Sequence, residues 1–182
     1  MNFKPTRLPE VVVVEPKVFE DARGSFMETW EANKFAAGGI DVPFVQDNHS
    51  VSCRWVLRGM HYQIQHAQGK LVRVVHGEVF DVAVDMRRSS PTFGQWVGET
   101  LSGANRRMLW IPPGFAHGFL ALSENVEFLY KVTDFYHPSA ERTLLWNDSS
   151  AGIRWPLPPG VEPLVADKDR RGLGLHEIEC FA

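Results

Sequence analysis

Leu71-Val72-Arg73-Val74-Val75-His76 and Val79-Phe80-Asp81-Val82-Ala83-Val84-Asp85, separated by Gly77-Glu78, decide the fold class of this chain. Both runs have strand length, are rich in valine and are bounded by turn residues. The second alternates. Phe80, Val82 and Val84 fall on one face, with Val79, Asp81, Ala83 and Asp85 on the other. His76-Gly77-Glu78 between them reads as a tight hairpin turn.

The same pattern continues in both directions. Val11–Val14, Phe44–Ser52 and Trp55–Gln63 precede the pair, and Gln95–Leu101, Arg106–Ile111, His117–Leu122, Val126–Tyr136 and Arg142–Trp146 follow it. In Val126–Tyr136 the residues Val126, Phe128, Tyr130, Val132 and Tyr136 share a face, opposite Glu127, Lys131 and Thr133. Ser89-Ser90-Pro91-Thr92 and Pro112-Pro113-Gly114 supply further turns. Helical periodicity is convincing around Thr29–Ala37, which runs into Gly38-Gly39. The proline-rich Trp155–Pro163 reads as an irregular strap over the end of a barrel. Many short, evenly spaced strands in residues 1–182 predict one all-β domain, a sandwich or jelly roll.

Composition narrows the function. The chain of 182 residues has a net charge of −3 and no run of Lys or Arg. The clustered basic footprint of a nucleic-acid binder is missing. The N-terminal stretch has no apolar core of a secretory signal, and Val11–Val14 is far too short to span a bilayer. Cys53 and Cys180 lie far apart without metal or redox spacing, so reduced thiols and a cytoplasmic location are expected.

Seven histidines raise the question of a metal. A metal centre needs several imidazoles and a carboxylate converging on one point. In His61-Tyr62-Gln63 a glutamine stands where a second histidine would complete a pair, His66 falls in a loop and His76 in a turn. No bound metal is expected. A different set stands out: His61, Lys70, His117 and Tyr130 are polar side chains within otherwise apolar strands. Lys70 shares a face with Val72 and Val74, and Tyr130 lies on the apolar face of its strand. A base, a cation and a phenol pointing inward are what proton abstraction beside a carbonyl requires. Taken singly, each has an ordinary role: a core histidine, a strand-end lysine with a wet ammonium, a core tyrosine. Their coincidence favours chemistry.

These residues sit in segments that occur in a specific order: Phe19–Glu28, Phe44–Ser50, Val56–Gln63, Gln68–Arg73, Gly77–Asp85, Trp110–Phe119 and Glu127–Lys131. Together they closely resemble the dTDP-4-dehydrorhamnose 3,5-epimerase family. The resemblance implies a cupin-like jelly roll, a homodimer, no metal or organic cofactor, and dTDP-4-dehydro-6-deoxyglucose as substrate on the path to dTDP-L-rhamnose. It implies His61 as general base, Asp169 as its orienting partner, Lys70 as stabiliser of the enolate oxygen and Tyr130 as general acid. By the same resemblance Arg23, Glu28, Gln46, Asn48, Arg58, His117, Glu141 and Lys168 contact substrate, and Tyr136 stacks on thymine.

The chain departs from that pattern in two places. Ala166 precedes Asp167-Lys168-Asp169 where the family has a serine, which leaves Asp167 as a second candidate partner for His61, and the loop from His61 to Lys70 is slightly short. Strand alternation also puts Arg58 and His61 on opposite faces, and a bulge at Gly59 is predicted to reconcile them. A sister enzyme epimerising one carbon, a metal-dependent enzyme on the same barrel and a non-catalytic sugar-nucleotide binder are the alternatives.

Overall fold

The computed structural model describes residues 1–182. In chain order the elements are β1 (Asn2–Pro5), β2 (Val12–Glu15), β3 (Val18–Asp21), β4 (Gly24–Met27), α1 (Ala32–Ala37), β5 (Gln46–Ser52), β6 (Val56–Gln63), β7 (Lys70–His76) and β8 (Glu78–Asp85). There follow β9 (Trp96–Ser102), β10 (Met108–Ile111), β11 (Phe115–Ala121), β12 (Val126–Val132), β13 (Glu141–Thr143), β14 (Leu164–Val165) and α2 (Asp167–Arg170). One sheet runs β1-β2-β10-β7-β12-β5, and the other β13-β6-β11-β8-β9 with β14 added parallel to β6. The β3–β4 pair stands apart as a hairpin.

β7 and β8 do not form the hairpin expected from His76-Gly77-Glu78. β7 pairs with β10 and β12, while β8 pairs with β11 and β9 in the opposite sheet. The turn is a corner between sheets. Gly77 takes φ +80°, and a Cβ there would lie 2.6 Å from Ser123 Oγ. The corner lets Val72 and Val74 of β7 face Val79 and Ala83 of β8 across the interior, with Leu109, Ile111 and Phe128 on one side and Leu101 and Phe119 on the other. A flat hairpin would put both apolar faces in one sheet with nothing opposite, and each buried Val or Phe contributes about 1.5–3 kcal/mol.

The outer faces are covered as well. Phe35 of α1 packs on Val14, Leu71, Met108 and Trp110 behind the first sheet. Behind the second, Met60, Tyr62, Val82 and Val84 meet Leu144, Leu175 and Ile178 of the C-terminal segment. Trp155 packs against Phe80 there, with ring centroids 6.2 Å apart, so the expected strap lies over a sheet face and not over the barrel end. This explains why β8 is apolar on one face and carries aspartates on the other: Phe80, Val82 and Val84 face the strap, and Val79, Asp81 and Ala83 face the interior.

Several boundaries differ from expectation. β12 ends at Val132 because Thr133 turns to receive the Gly69 N–H on its hydroxyl at 2.7 Å. The Arg142–Trp146 strand is reduced to Glu141–Thr143, and the helix begins at Ala32, where the Glu31 carboxylate accepts the Asn33 and Lys34 N–H groups. β1 and the β3–β4 hairpin are additional.

Candidate active site

The Gly59 bulge is present. His117 pairs with His61 and Phe119 with Arg58, so two residues of β6 oppose Gly118 alone. Gly59 takes φ +128°, and a Cβ on Gly118 would lie 2.6 Å from the Arg58 carbonyl oxygen and from Met60 Sδ. Only paired glycines permit this approach. The extra residue turns Met60 outward and brings both Arg58 and His61 to one cavity.

That cavity, of about 720 Å³, lies between the two sheets and falls within the range of small-molecule sites. The first sheet contributes Gln46, Asn48 and Ser50 from β5, Lys70 from β7 and Tyr130 from β12. The second contributes Arg58 and His61 from β6, His117 from β11 and Glu141 from β13. Leu164, Val165, Ala166, Lys168, Asp169 and Arg170 close one side, and Tyr136 lines the wall.

His61 Nε2 lies 2.6 Å from Asp169 Oδ1, and the other oxygen of Asp169 accepts the Gly59 N–H at 3.2 Å. Asp169, 2% exposed, is therefore the partner, and Asp167 stays on the surface. Burial pulls the Asp169 carboxyl upward, but the His61 hydrogen bond and charge, the Gly59 N–H and the Lys168 ammonium together hold it below the usual carboxylate range. An ionised Asp169 accepts the Nε2 hydrogen and leaves Nδ1 with the free lone pair.

Lys70 donates to the His61 carbonyl at 3.2 Å. Its burial pulls the ammonium down to about 8, against the opposing pull of Glu141 and Asp81. Tyr130 is packed beside Phe128, and burial raises its phenol, partly offset by Arg58. Arg58 is held by Ser52 Oγ and the Val51 carbonyl, while Lys168 pairs with Glu141 at 2.9 Å and Tyr136 donates its hydroxyl to Glu141 at 3.3 Å. Gln46 donates to Asn48 at 2.9 Å.

Sequence reasoning missed Asp81, which receives His117 Nε2 at 3.0 Å on both oxygens. Burial dominates both members, raising Asp81 and lowering His117. The available signal was a carboxylate among valines on the inward face of β8. Asp85 shares that parity, yet the Arg87 side chain and the Ser90 and Thr92 hydroxyls absorb it in a turn. Ser50 and Arg170 also line the cavity unforeseen, and the Ser50 hydroxyl is buried with no protein partner. Arg23 and Glu28 lie outside the cavity. Arg23 pairs with Asp21 on the β3–β4 hairpin, and Glu28 pairs with Lys34, each at 2.6 Å.

The profile of the family described as dTDP-4-dehydrorhamnose 3,5-epimerase matches residues 5–177. The chain belongs to the dTDP-4-dehydrorhamnose 3,5-epimerase family. Among its members, the Pseudomonas aeruginosa enzyme is 59% identical over 182 residues, covering 98% of this chain and 99% of that one. The Shigella flexneri enzyme is 57% identical, covering 100% and 99%. A Legionella pneumophila dTDP-6-deoxy-D-glucose-3,5-epimerase, solved in complex with dTDP-4-keto-L-rhamnose, superimposes with a TM-score of 0.94 at 49% identity, over 98% of this chain and 94% of that one. A 3'-monoepimerase from Streptomyces bikiniensis, solved with dTDP-quinovose, has a TM-score of 0.88 at 32% identity, over 95% and 87%. The two facing sheets are the cupin-like jelly roll of these epimerases, and no helix is long and apolar enough to cross a membrane.

Proposed function

We propose that this cavity epimerises dTDP-4-dehydro-6-deoxyglucose at C3 and C5, giving dTDP-4-dehydro-L-rhamnose for dTDP-L-rhamnose synthesis. The observation that carries the reading is the His61–Asp169 pair at 2.6 Å, opening on a cavity that Lys70 and Tyr130 enter from the facing sheet. His61 Nδ1 removes the proton from a carbon beside the C4 ketone. The electron pair moves onto the ketone oxygen, where the Lys70 ammonium stabilises the enolate. A positioned base contributes roughly 10²–10⁴-fold, and one good donor at the developing oxyanion roughly 10²–10³-fold. Asp169 stabilises the imidazolium that forms. Tyr130 returns a proton to carbon from the opposite face, which inverts the centre. The tyrosinate regains its proton from solvent, and the imidazolium loses its own.

The base, cation and acid suffice for this chemistry without a metal or organic cofactor. Arg58 and Arg170, which both line the cavity, are suited to the diphosphate because a guanidinium presents paired donors. Tyr136 offers a ring to the thymine, while Gln46, Asn48, His117, Glu141 and Lys168 supply hydrogen bonds. Arg23 and Glu28 would reach substrate only in a homodimer. The hairpin that carries Arg23 exposes Phe19 by 52% and Phe26 by 70%, surface suited to burial against a partner protomer. A monomeric sedimentation coefficient would refute the dimer. Cys53 and Cys180 are both free thiols, in keeping with the cytoplasm.

The test is NMR of dTDP-4-dehydro-6-deoxyglucose with the enzyme in D₂O. Deuterium at both C3 and C5 is expected. Label at one carbon alone would favour a monoepimerase, as in the Streptomyces bikiniensis neighbour, and label at neither would refute the reading. Tyr130→Phe should retain solvent exchange while losing epimerised product. Equal loss of both would remove Tyr130 as the acid.

A further inference from the structure

Outside the cavity, the loop between β6 and β7 meets the segment after β12, and three potential ligands converge where they touch. His66 Nδ1 lies 3.5 Å from Asp134 Oδ2, and the His66 and His137 rings stack with centroids 3.9 Å apart at 18°. One donor atom from each of His66, Asp134 and His137 lies within 4.8 Å of the others. We propose that these three side chains bind a divalent transition-metal ion of the Zn²⁺ or Ni²⁺ class, at a site distinct from the catalytic residues.

The backbone under the three ligands is held in place. Gln63 donates to the His66 carbonyl at 2.7 Å and the Phe135 carbonyl at 3.2 Å, and its own carbonyl accepts the His137 N–H at 2.7 Å. Gln68 donates to the Asp134 carbonyl at 2.9 Å. One side chain thus ties both ligand-bearing segments together, and a second anchors the aspartate. Asp134 Oδ1 accepts the Phe135 N–H at 2.7 Å, which orients the carboxylate and leaves Oδ2 toward the imidazole.

A tetrahedral ion with bonds of about 2.0–2.1 Å needs its donors roughly 3.3 Å apart. The His66–Asp134 separation is already close to that. Because imidazole lone pairs lie in the ring plane, the stacked His66 and His137 rings must rotate apart for both to aim at one ion, at one exposed and one half-buried residue. Two imidazoles and one carboxylate favour Zn²⁺, Ni²⁺ or Cu²⁺ over the oxygen-seeking Mg²⁺ and Ca²⁺. The ion would join the β6–β7 loop to residues 134–137, which include Tyr136 of the cavity wall. It would therefore restrain one side of the cavity mouth while taking no part in proton transfer.

The test is calorimetric titration of the chelator-stripped protein with ZnCl₂, repeated with NiCl₂. One ion per chain is expected. Its Kd should rise at least about 10²-fold in both His66→Ala and His137→Ala, since loss of an outer partner alone costs 10–100-fold. Asp134→Asn keeps an acceptor for the Phe135 N–H and should also weaken binding, so a folding defect is separable from ligand loss. His49→Ala, at a histidine 3.7 Å from Glu127, should bind as the parent does. No saturable site in the parent, or unchanged affinity in any one of the three ligand variants, would leave only a stacked pair beside a carboxylate and overturn the proposal.

Discussion

Replacing Lys70 by methionine should make the protein more stable and the enzyme far slower. Lys70 is 8% exposed, and its burial lowers the ammonium from 10.5 to about 8. Each pKa unit corresponds to about 1.36 kcal/mol, so holding the charge inside costs about 3 kcal/mol at neutral pH. Methionine removes that cost at similar volume but leaves the His61 carbonyl without its donor, returning about 1 kcal/mol. A net gain of about 2 kcal/mol remains. The pH dependence carries the sharper test. Because the folded-state pKa is depressed, the unfolded chain binds more protons between about 8 and 10.5, and parental stability rises with pH across that window. The advantage of Lys70→Met should be full below pH 8 and fade toward pH 10.5. Urea unfolding at pH 7 and at pH 10, with kcat measured alongside, reads both effects. A fall in kcat of roughly 10²–10³-fold is expected from loss of the oxyanion donor. A gap of constant size at both pH values, or a less stable variant at pH 7, would refute the assignment of Lys70 as a strained, functional cation.

Asp169→Asn should leave the fold intact and lower kcat by about 10²–10⁴-fold, because a neutral amide neither fixes the Nδ1 base nor stabilises the imidazolium; activity within threefold of the parent would place the base elsewhere. Gly118→Ala should destabilise by more than about 2 kcal/mol in chemical unfolding, since its Cβ would lie 2.6 Å from backbone oxygen and from Met60 Sδ; a neutral effect would mean that the bulge is not constrained. Ala166 caps α2 with no side-chain hydrogen bond, so Ala166→Ser should add about 0.5–1 kcal/mol in the same assay, and a loss of stability would refute that geometry.

Strand parity made most of the site legible. His61, Lys70, His117 and Tyr130 each interrupt an apolar strand, and the structure turns all four to one cavity. Gln46 and Asn48 were implied only by the family resemblance, and the structure places both in the cavity wall on β5. What stayed hidden depended on long-range partners. The pattern of two apolar strands and a glycine turn is the same for a hairpin and for a corner, so residues 71–85 did not reveal that β7 and β8 lie in opposite sheets. Asp81 and Asp85 have the same parity, and only the neighbouring strand decides that one receives His117 while the other is absorbed by its own turn. Asp167 and Asp169 are both carboxylates in one short helix, and the direction of that single turn selects between them.

The most informative stretch was one where local rules conflicted. Ordinary alternation cannot send both Arg58 and His61 inward, yet the proposed function needs that guanidinium for the diphosphate and that imidazole as base in one hollow. The chain resolves the conflict with a bulge that costs two side chains, at Gly59 and Gly118, and tolerates a crossing of strands too close for any Cβ. Asp169 accepts the Gly59 N–H with one oxygen and His61 with the other. The carboxylate that orients the His61 ring therefore also fixes the irregular backbone that presents it. A strand regularised at this point would regain its pairing but turn either Arg58 or His61 out of the cavity, so the local violation is a requirement of the proposed chemistry.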